Sequence, residues 1–183
     1  MTVMRIIPTA IPDVLEILPK VYGDERGFFF ESWNAQAFAH AGITDAFVQD
    51  NHSRSIRNVL RGLHYQVKHA QGKLVRVLAG EVYDIAVDLR CNSPTFGRWV
   101  SLVLSTERKN MVWVPPGFAH GFCVVSEYAE VFYKATDYYA PEHERTLLWN
   151  DAQLAIPWPL QGAPIISPKD AAGTPFADAE FYP

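Results

Sequence analysis

Between Lys73 and Thr136 the chain is cut into short apolar runs, each closed by turn residues after roughly ten positions, and this spacing limits the available folds more than any other feature. Tyr83, Ile85, Val87 and Leu89 alternate with Asp84, Asp88 and Arg90, a period of two that predicts a strand over Glu81–Arg90 with one buried face. Leu74–Ala79, ended by Gly80 and Glu81, is a second predicted strand. Trp99–Leu104 follows the turn residues Asn92, Ser93 and Pro94. Met111–Val114 and Phe122–Val125 flank a Pro115-Pro116-Gly117 turn, and Glu130–Thr136 is a sixth run. Short strands at this spacing predict a mainly β chain, an antiparallel sandwich or barrel.

Helices are expected to be few and short. Asn34–His40, closed by Gly42, is one; Ser167-Pro168-Lys169-Asp170 starts another, with Ser as N-cap and Pro at the first helical position. Prolines cluster near both ends, at Pro8, Pro12 and Pro19 and at Pro157, Pro159, Pro164 and Pro168, so extended termini are expected to wrap a central β block. No repeat or low-complexity linker divides the sequence, and residues 1–183 read as one domain.

Composition removes several function classes. A net charge of -4 disfavours non-specific nucleic-acid binding. No apolar run approaches the ~18 residues of a membrane span. Met1–Glu16 lacks the apolar core of a secretory signal, and Cys91 and Cys123 form no CxxC, so a reducing, cytoplasmic setting without structural disulfides is expected.

Several side chains are of types that carry chemistry, each with a plain structural reading beside the functional one. Arg61-Gly62-Leu63-His64-Tyr65-Gln66 gathers Arg, His and Gln where the chain is about to enter the sheet. Lys73 shares a strand face with Val75 and Val77; it is either a strand-end lysine reaching solvent or an interior cation that needs an anionic partner. Tyr133 shares a face with Val131 and Ala135, as a core tyrosine or as a proton donor into a cavity. Asp170 either complements a helix N-terminus or holds a histidine ring. Asp24–Glu31 offers Arg26 and Glu31 among aromatics, as a β-turn leading into a strand or as contacts for a planar anion. Pro115–Phe122 matches the P-x-G-x-x-H element of cupin β-barrels. Metal-binding cupins pair that element with H-x-H and a following Glu; here His64 and His69 stand apart with no acid at the expected place, so a metal site would lack ligands.

In order along the chain, Asp24-x-Arg26-Gly27-x-Phe29-x-Glu31, Gln49-Asp50-Asn51-His52-Ser53, Arg61-Gly62-Leu63-His64, Gln71-Gly72-Lys73-Leu74-Val75-Arg76, Gly117–Phe122, Tyr133-Lys134-Ala135-Thr136, Trp149-Asn150-Asp151 and Lys169-Asp170 closely resemble the dTDP-4-dehydrorhamnose 3,5-epimerases. The resemblance runs from about Arg5 to Asp170. It implies a cupin-type antiparallel jelly roll and epimerisation at C3 and C5 of a dTDP-4-keto-6-deoxysugar, in dTDP-L-rhamnose biosynthesis, with no metal or organic cofactor. It also implies His64 as base, Asp170 as its dyad partner, Tyr133 as acid and Lys73 as the cation stabilising the enolate. Sugar-nucleotide contacts are implied at Arg26, Glu31, Gln49, Asp50, Asn51, Arg61, His120, Glu144 and Lys169, with Tyr139, rather than Tyr138, stacking on thymine. The resemblance further implies a homodimer joined by sheet pairing, with Arg26 serving the neighbouring subunit's site. Three other readings stand beside it: an epimerase acting at one carbon, a metal-dependent cupin oxygenase, and a non-catalytic sugar-binding cupin.

Overall fold

The computed structural model describes residues 4–183, and two antiparallel sheets lie face to face in it. The larger runs in the order β1 (Met4–Pro8), β2 (Leu15–Pro19), β10 (Met111–Val114), β7 (Lys73–Ala79), β12 (Tyr128–Ala135) and β5 (Gln49–Ile56). The smaller runs β13 (Glu144–Thr146), β6 (Leu60–Gln66), β11 (Phe118–Val124), β8 (Glu81–Asp88) and β9 (Trp99–Ser105). A separate hairpin joins β3 (Tyr22–Asp24) to β4 (Gly27–Phe29). The expected mainly-β, antiparallel architecture is what the chain adopts.

Three apolar layers hold the sheets. Val75, Val77 and Val131 of the larger sheet meet Val82, Ala86 and Phe122 of the smaller one in the space between them. The outer face of the smaller sheet, with Leu63, Tyr65, Ile85 and Val87, is covered by the C-terminal segment through Leu147, Leu154, Ile156 and Phe176. The outer face of the larger sheet, with Ile17, Leu74 and Met111, packs under Phe38 and Ile43.

This layering corrects the reading of β8. The period of two is there, but both faces are buried. Ile85 and Val87 pack under the C-terminal segment, while Asp84 and Asp88 share the parity of Val82 and Ala86 and are 2% and 0% exposed. A strand enclosed on both sides has no solvent face, so its polar positions became interior acids with dedicated partners. Asp88 takes Arg90, Ser93 and Thr95. Likewise His64 lies within a strand and not ahead of one, and β11 begins at Phe118, directly after the turn at Gly117 (φ +96°). The N-terminal segment supplies two strands to the larger sheet, whose ends fall at Pro8 and Pro19.

Both expected helices form. Helix α1 (Ala35–His40) is capped by Asn34, whose side chain accepts the Gln36 and Ala37 N–H groups; α2 (Pro168–Ala171) is capped by Ser167, which accepts the Asp170 N–H at 3.1 Å.

Two glycines set the distance between β6 and β11. A Cβ on Gly62 (φ +126°) would lie 2.5 Å from Gly121 Cα, and one on Gly121 would lie 2.7 Å from the Arg61 carbonyl oxygen. The backbones touch there, where the register shifts between His120 and Phe122. Gly62→Ala is expected to lose about 3 kcal/mol of stability from the clash and the left-handed backbone together, read as a lower urea midpoint at unchanged m-value.

Candidate active site

Strand register brings the expected residues to one cleft of ≈ 290 Å³ between the sheets. His64 on β6 and His120 on β11 are register partners. Their neighbours Leu63, Tyr65 and Ala119 belong to the outer layer, so both rings face inward. From the larger sheet Tyr133 sits between Asn51 and Val75, and Lys73 pairs with Ala135 one row away. His64, Lys73, His120 and Tyr133 all line the cleft.

His64 is held from below by the short helix α2. Its Nε2 lies 2.7 Å from Asp170 Oδ1, and Asp170 Oδ2 accepts the Gly62 N–H at 3.2 Å. Burial pushes the Asp170 carboxyl up, but the hydrogen bond from His64, the His64 charge, Gly62 and Ser167 together hold it below its usual range. An ionised carboxylate only accepts, so the neutral ring carries its proton on Nε2 and keeps the Nδ1 lone pair for a base's work. The His64 side chain is one-third exposed, against 5% for Asp170.

Lys73 is buried, and the solvent reading of this position is set aside. Burial brings its ammonium down to about 8, against the opposing pull of Glu144 and Asp84. Neither acid is bonded to it: Asp84 is engaged by His120, and Glu144 by Lys169 and Tyr139. Lys73 is thus a cation waiting for an anionic atom in the cleft. Burial pushes the Tyr133 phenol up, with Glu144 acting the same way and Arg61 against it, so Tyr133 stays a proton carrier at neutral pH.

A second histidine–acid pair lies beside the first. His120 Nε2 is 2.9 Å and 3.0 Å from the two Asp84 oxygens, with both residues buried. Nothing in the sequence marks Asp84, because alternation with apolar neighbours is equally the pattern of a solvent-facing acid. Gln66, which the sequence gathers with Arg61 and His64, turns its side chain to backbone groups. Buried two residues past His64, it donates to the His69 and Tyr138 carbonyls at 2.7 and 3.2 Å and accepts the Ala140 N–H at 2.9 Å. It thereby fixes the segment bearing Tyr139.

At the cleft mouth the Tyr139 hydroxyl donates to Glu144 at 2.7 Å, and Lys169 pairs with the same carboxylate. The Tyr139 N–H donates to Gln49, which donates to Asn51 at 3.0 Å. Arg61 lines the cleft and donates to Ser55. Tyr138 and Tyr139 are both exposed.

Three expected contacts lie elsewhere in the single chain. Asp50 falls on the opposite face of β5 from Gln49 and Asn51, as a period of two requires, and pairs with Lys134 at 2.9 Å. Arg26 stands on the outlying hairpin, exposed and paired with Asp24. Glu31 follows that hairpin and accepts from Asn34 at 3.1 Å. Among the described residues no three His, Cys, Asp or Glu side chains converge as a metal-ligating group. His69 pairs with Asp137 and stacks on His143 instead of joining His64.

A sequence profile described as dTDP-4-dehydrorhamnose 3,5-epimerase matches residues 8–178. The chain belongs to the dTDP-4-dehydrorhamnose 3,5-epimerase family. It is 61% identical over 181 residues to the family's enzyme from Pseudomonas aeruginosa, covering 98% of this chain and 100% of that one. It is 60% identical over 171 residues to the one from Salmonella typhimurium, covering 92% and 93%. Among solved structures, a dTDP-6-deoxy-D-glucose-3,5-epimerase from Legionella pneumophila, in complex with dTDP-4-keto-L-rhamnose, superposes with a TM-score of 0.95 at 56% identity, covering 97% of this chain and 95% of that one. The two facing sheets are the cupin-type jelly roll of these epimerases, and the chain is an isomerase of that class.

Proposed function

We propose that this protein inverts C3 and C5 of dTDP-4-dehydro-6-deoxy-D-glucose, giving dTDP-4-dehydro-L-rhamnose. One observation carries the reading: His64 and Tyr133 stand on opposite sheets and face one cleft that also holds the buried Lys73.

The C4 ketone acidifies the protons on C3 and C5. His64 Nδ1 takes one of them, and the electron pair moves onto O4 as an enolate. Asp170 favours the imidazolium that results, and the Lys73 charge stabilises O4. Tyr133 delivers a proton to the opposite face of the same carbon, which inverts it. Each inversion leaves His64 protonated and Tyr133 deprotonated. The exposed third of the His64 side chain lets water carry off its proton, and the raised phenol takes one back readily. The same two groups then serve the second carbon.

Arg61 and Lys169 supply charge for the diphosphate, and Tyr139 supplies a face for thymine. The hairpin leaves Tyr22, Phe28 and Phe29 exposed. This supports a homodimer in which Arg26 and Glu31 reach the neighbouring subunit's cleft, each subunit being one catalytic domain over residues 1–183 in the cytoplasm. No helix among the described residues is long and apolar enough to cross a membrane.

Proton NMR of the purified protein incubated with the substrate tests the reading. It is expected to show a product inverted at both C3 and C5. Inversion at one carbon alone would make the protein a single-centre epimerase, and binding without turnover a sugar-nucleotide-binding cupin. Activity that follows stoichiometric iron and is lost to chelator would place it among the cupin oxygenases.

A further inference from the structure

The second histidine–acid pair has no part in the proton transfers above, yet its histidine lines the same cleft and its acid is buried against that ring. Ala86 of β8 is the register partner of His120, and Asp84 lies two residues along the same face, within reach of the ring. Asp84 is 2% exposed and His120 6%, so water does not screen their charges. Across the cleft, Lys73 is buried on the facing sheet with no bonded counter-ion.

Several charged or titratable groups share this cleft with Lys73. They are His52 from β5, Arg61, His64 and Tyr65 from β6, His120 from β11, Tyr133 from β12, Tyr139, and Glu144 from β13, and Asp84 of β8 acts on Lys73 from beneath the His120 ring without lining the cleft. Only two of them are carboxylates. Glu144 is already compensated at the mouth by Lys169. Asp84 is the fully buried acid of this set, and it acts on Lys73 as Lys73 acts on it.

Resting on the epimerase reading, we infer that Asp84 is a positioning residue of the reaction, holding the His120 ring by Nε2 and keeping the Lys73 ammonium charged for its work on O4. Asp84 touches no reacting atom. It works by placing a fixed negative charge opposite a cation that burial alone drives towards neutrality. Burial leaves the Asp84 carboxyl above its usual range, and the charge and hydrogen bond of His120, with the charge of Lys73, oppose that rise and favour the carboxylate. The three residues form a chain of mutual support running from one sheet to the other.

The test is the titration of Lys73 itself, followed by side-chain NMR in the full-length protein without substrate and assigned by comparison with Lys73→Met. Asp84→Asn keeps the shape and an acceptor oxygen for His120 and removes only the charge. In that variant Lys73 is expected to titrate about one pH unit lower than in wild type. The upper limb of the kcat/KM profile is expected to move by the same amount. An unchanged Lys73 midpoint, with activity reduced equally at every pH, would make Asp84 a merely structural residue and overturn the proposal. Should Asp84→Asn not fold, Lys73→Met decides by reciprocity. The Asp84 carboxyl is then expected to titrate at higher pH than in wild type, and an unmoved carboxyl overturns the proposal. Both NMR arms work without turnover, so a wild-type protein inactive on the sugar nucleotide would sink the epimerase reading and leave this one separately answered.

Discussion

His64→Ala is expected to lower kcat by about 10²–10⁴-fold, the usual contribution of one general base, while the protein still folds. The side chain is one-third exposed, so its loss opens onto the cleft and does not leave a sealed cavity. The stability cost comes from Asp170, which is 5% exposed and keeps the Gly62 N–H but loses its stronger partner. A buried acceptor deprived of one bond costs on the order of 1–3 kcal/mol. His64 is not among the groups assigned to the nucleotide, so KM is expected to change far less than kcat. Steady-state kinetics with a thermal melt on the same sample separates the two effects. A variant that keeps wild-type kcat would remove His64 from the chemistry.

Lys73→Met is expected to move activity and stability in opposite directions. Loss of the cation facing O4 is expected to cost about 10²–10³ in kcat, as loss of an oxyanion-stabilising donor does. Stability is expected to rise by about 3 kcal/mol at pH 7. The ammonium sits at about 8 in the folded chain against 10.5 for the free side chain, so below pH 8 folding must bury a charge that the unfolded chain keeps in water. The penalty is fully present below the folded value, shrinks as pH rises from 8, and is gone above 10.5. Wild-type stability should therefore climb with pH across that window, while the Met variant lacks this climb. Urea unfolding of both proteins at pH 7 and above 10.5 measures the difference. A destabilised Met variant at pH 7 would show that Lys73 is compensated within the resting protein.

The sequence carried the periodicities but not which faces the fold would enclose. Alternation located β8 and the Lys73 and Tyr133 faces, because side chains on a strand must alternate. It did not show that the C-terminal segment would cover the outer side of the smaller sheet. Asp84 and Asp88 therefore look solvated in the sequence and are interior in the fold. The Ser167 cap was legible because its bond lies within three residues, whereas Asn34 reads as the first residue of its helix and is instead the cap. The pairing of His64 with Asp170 spans 106 residues, and no local pattern foretells it. It was reachable only through resemblance to a family in which both motifs recur in order. Asp50 shows the reverse case, since strand parity already sets it on the face opposite Gln49 and Asn51. Gln66 stands out in the sequence beside Arg61 and His64, but its work of bonding backbone groups of a distant loop has no local signal.

The central claim is that two groups, on opposite faces of one carbon, share the inversion. Deuterium oxide with the Tyr133→Phe variant tests it most directly. His64 is then still able to remove the C3 or C5 proton and return a deuteron to the same face. The account predicts that deuterium washes into the recovered substrate at those carbons while its configuration is retained, whereas wild type gives doubly inverted product labelled at both. Tyr133→Phe protein that inverts and labels as wild type does, or that exchanges nothing while His64→Ala still exchanges, would contradict it.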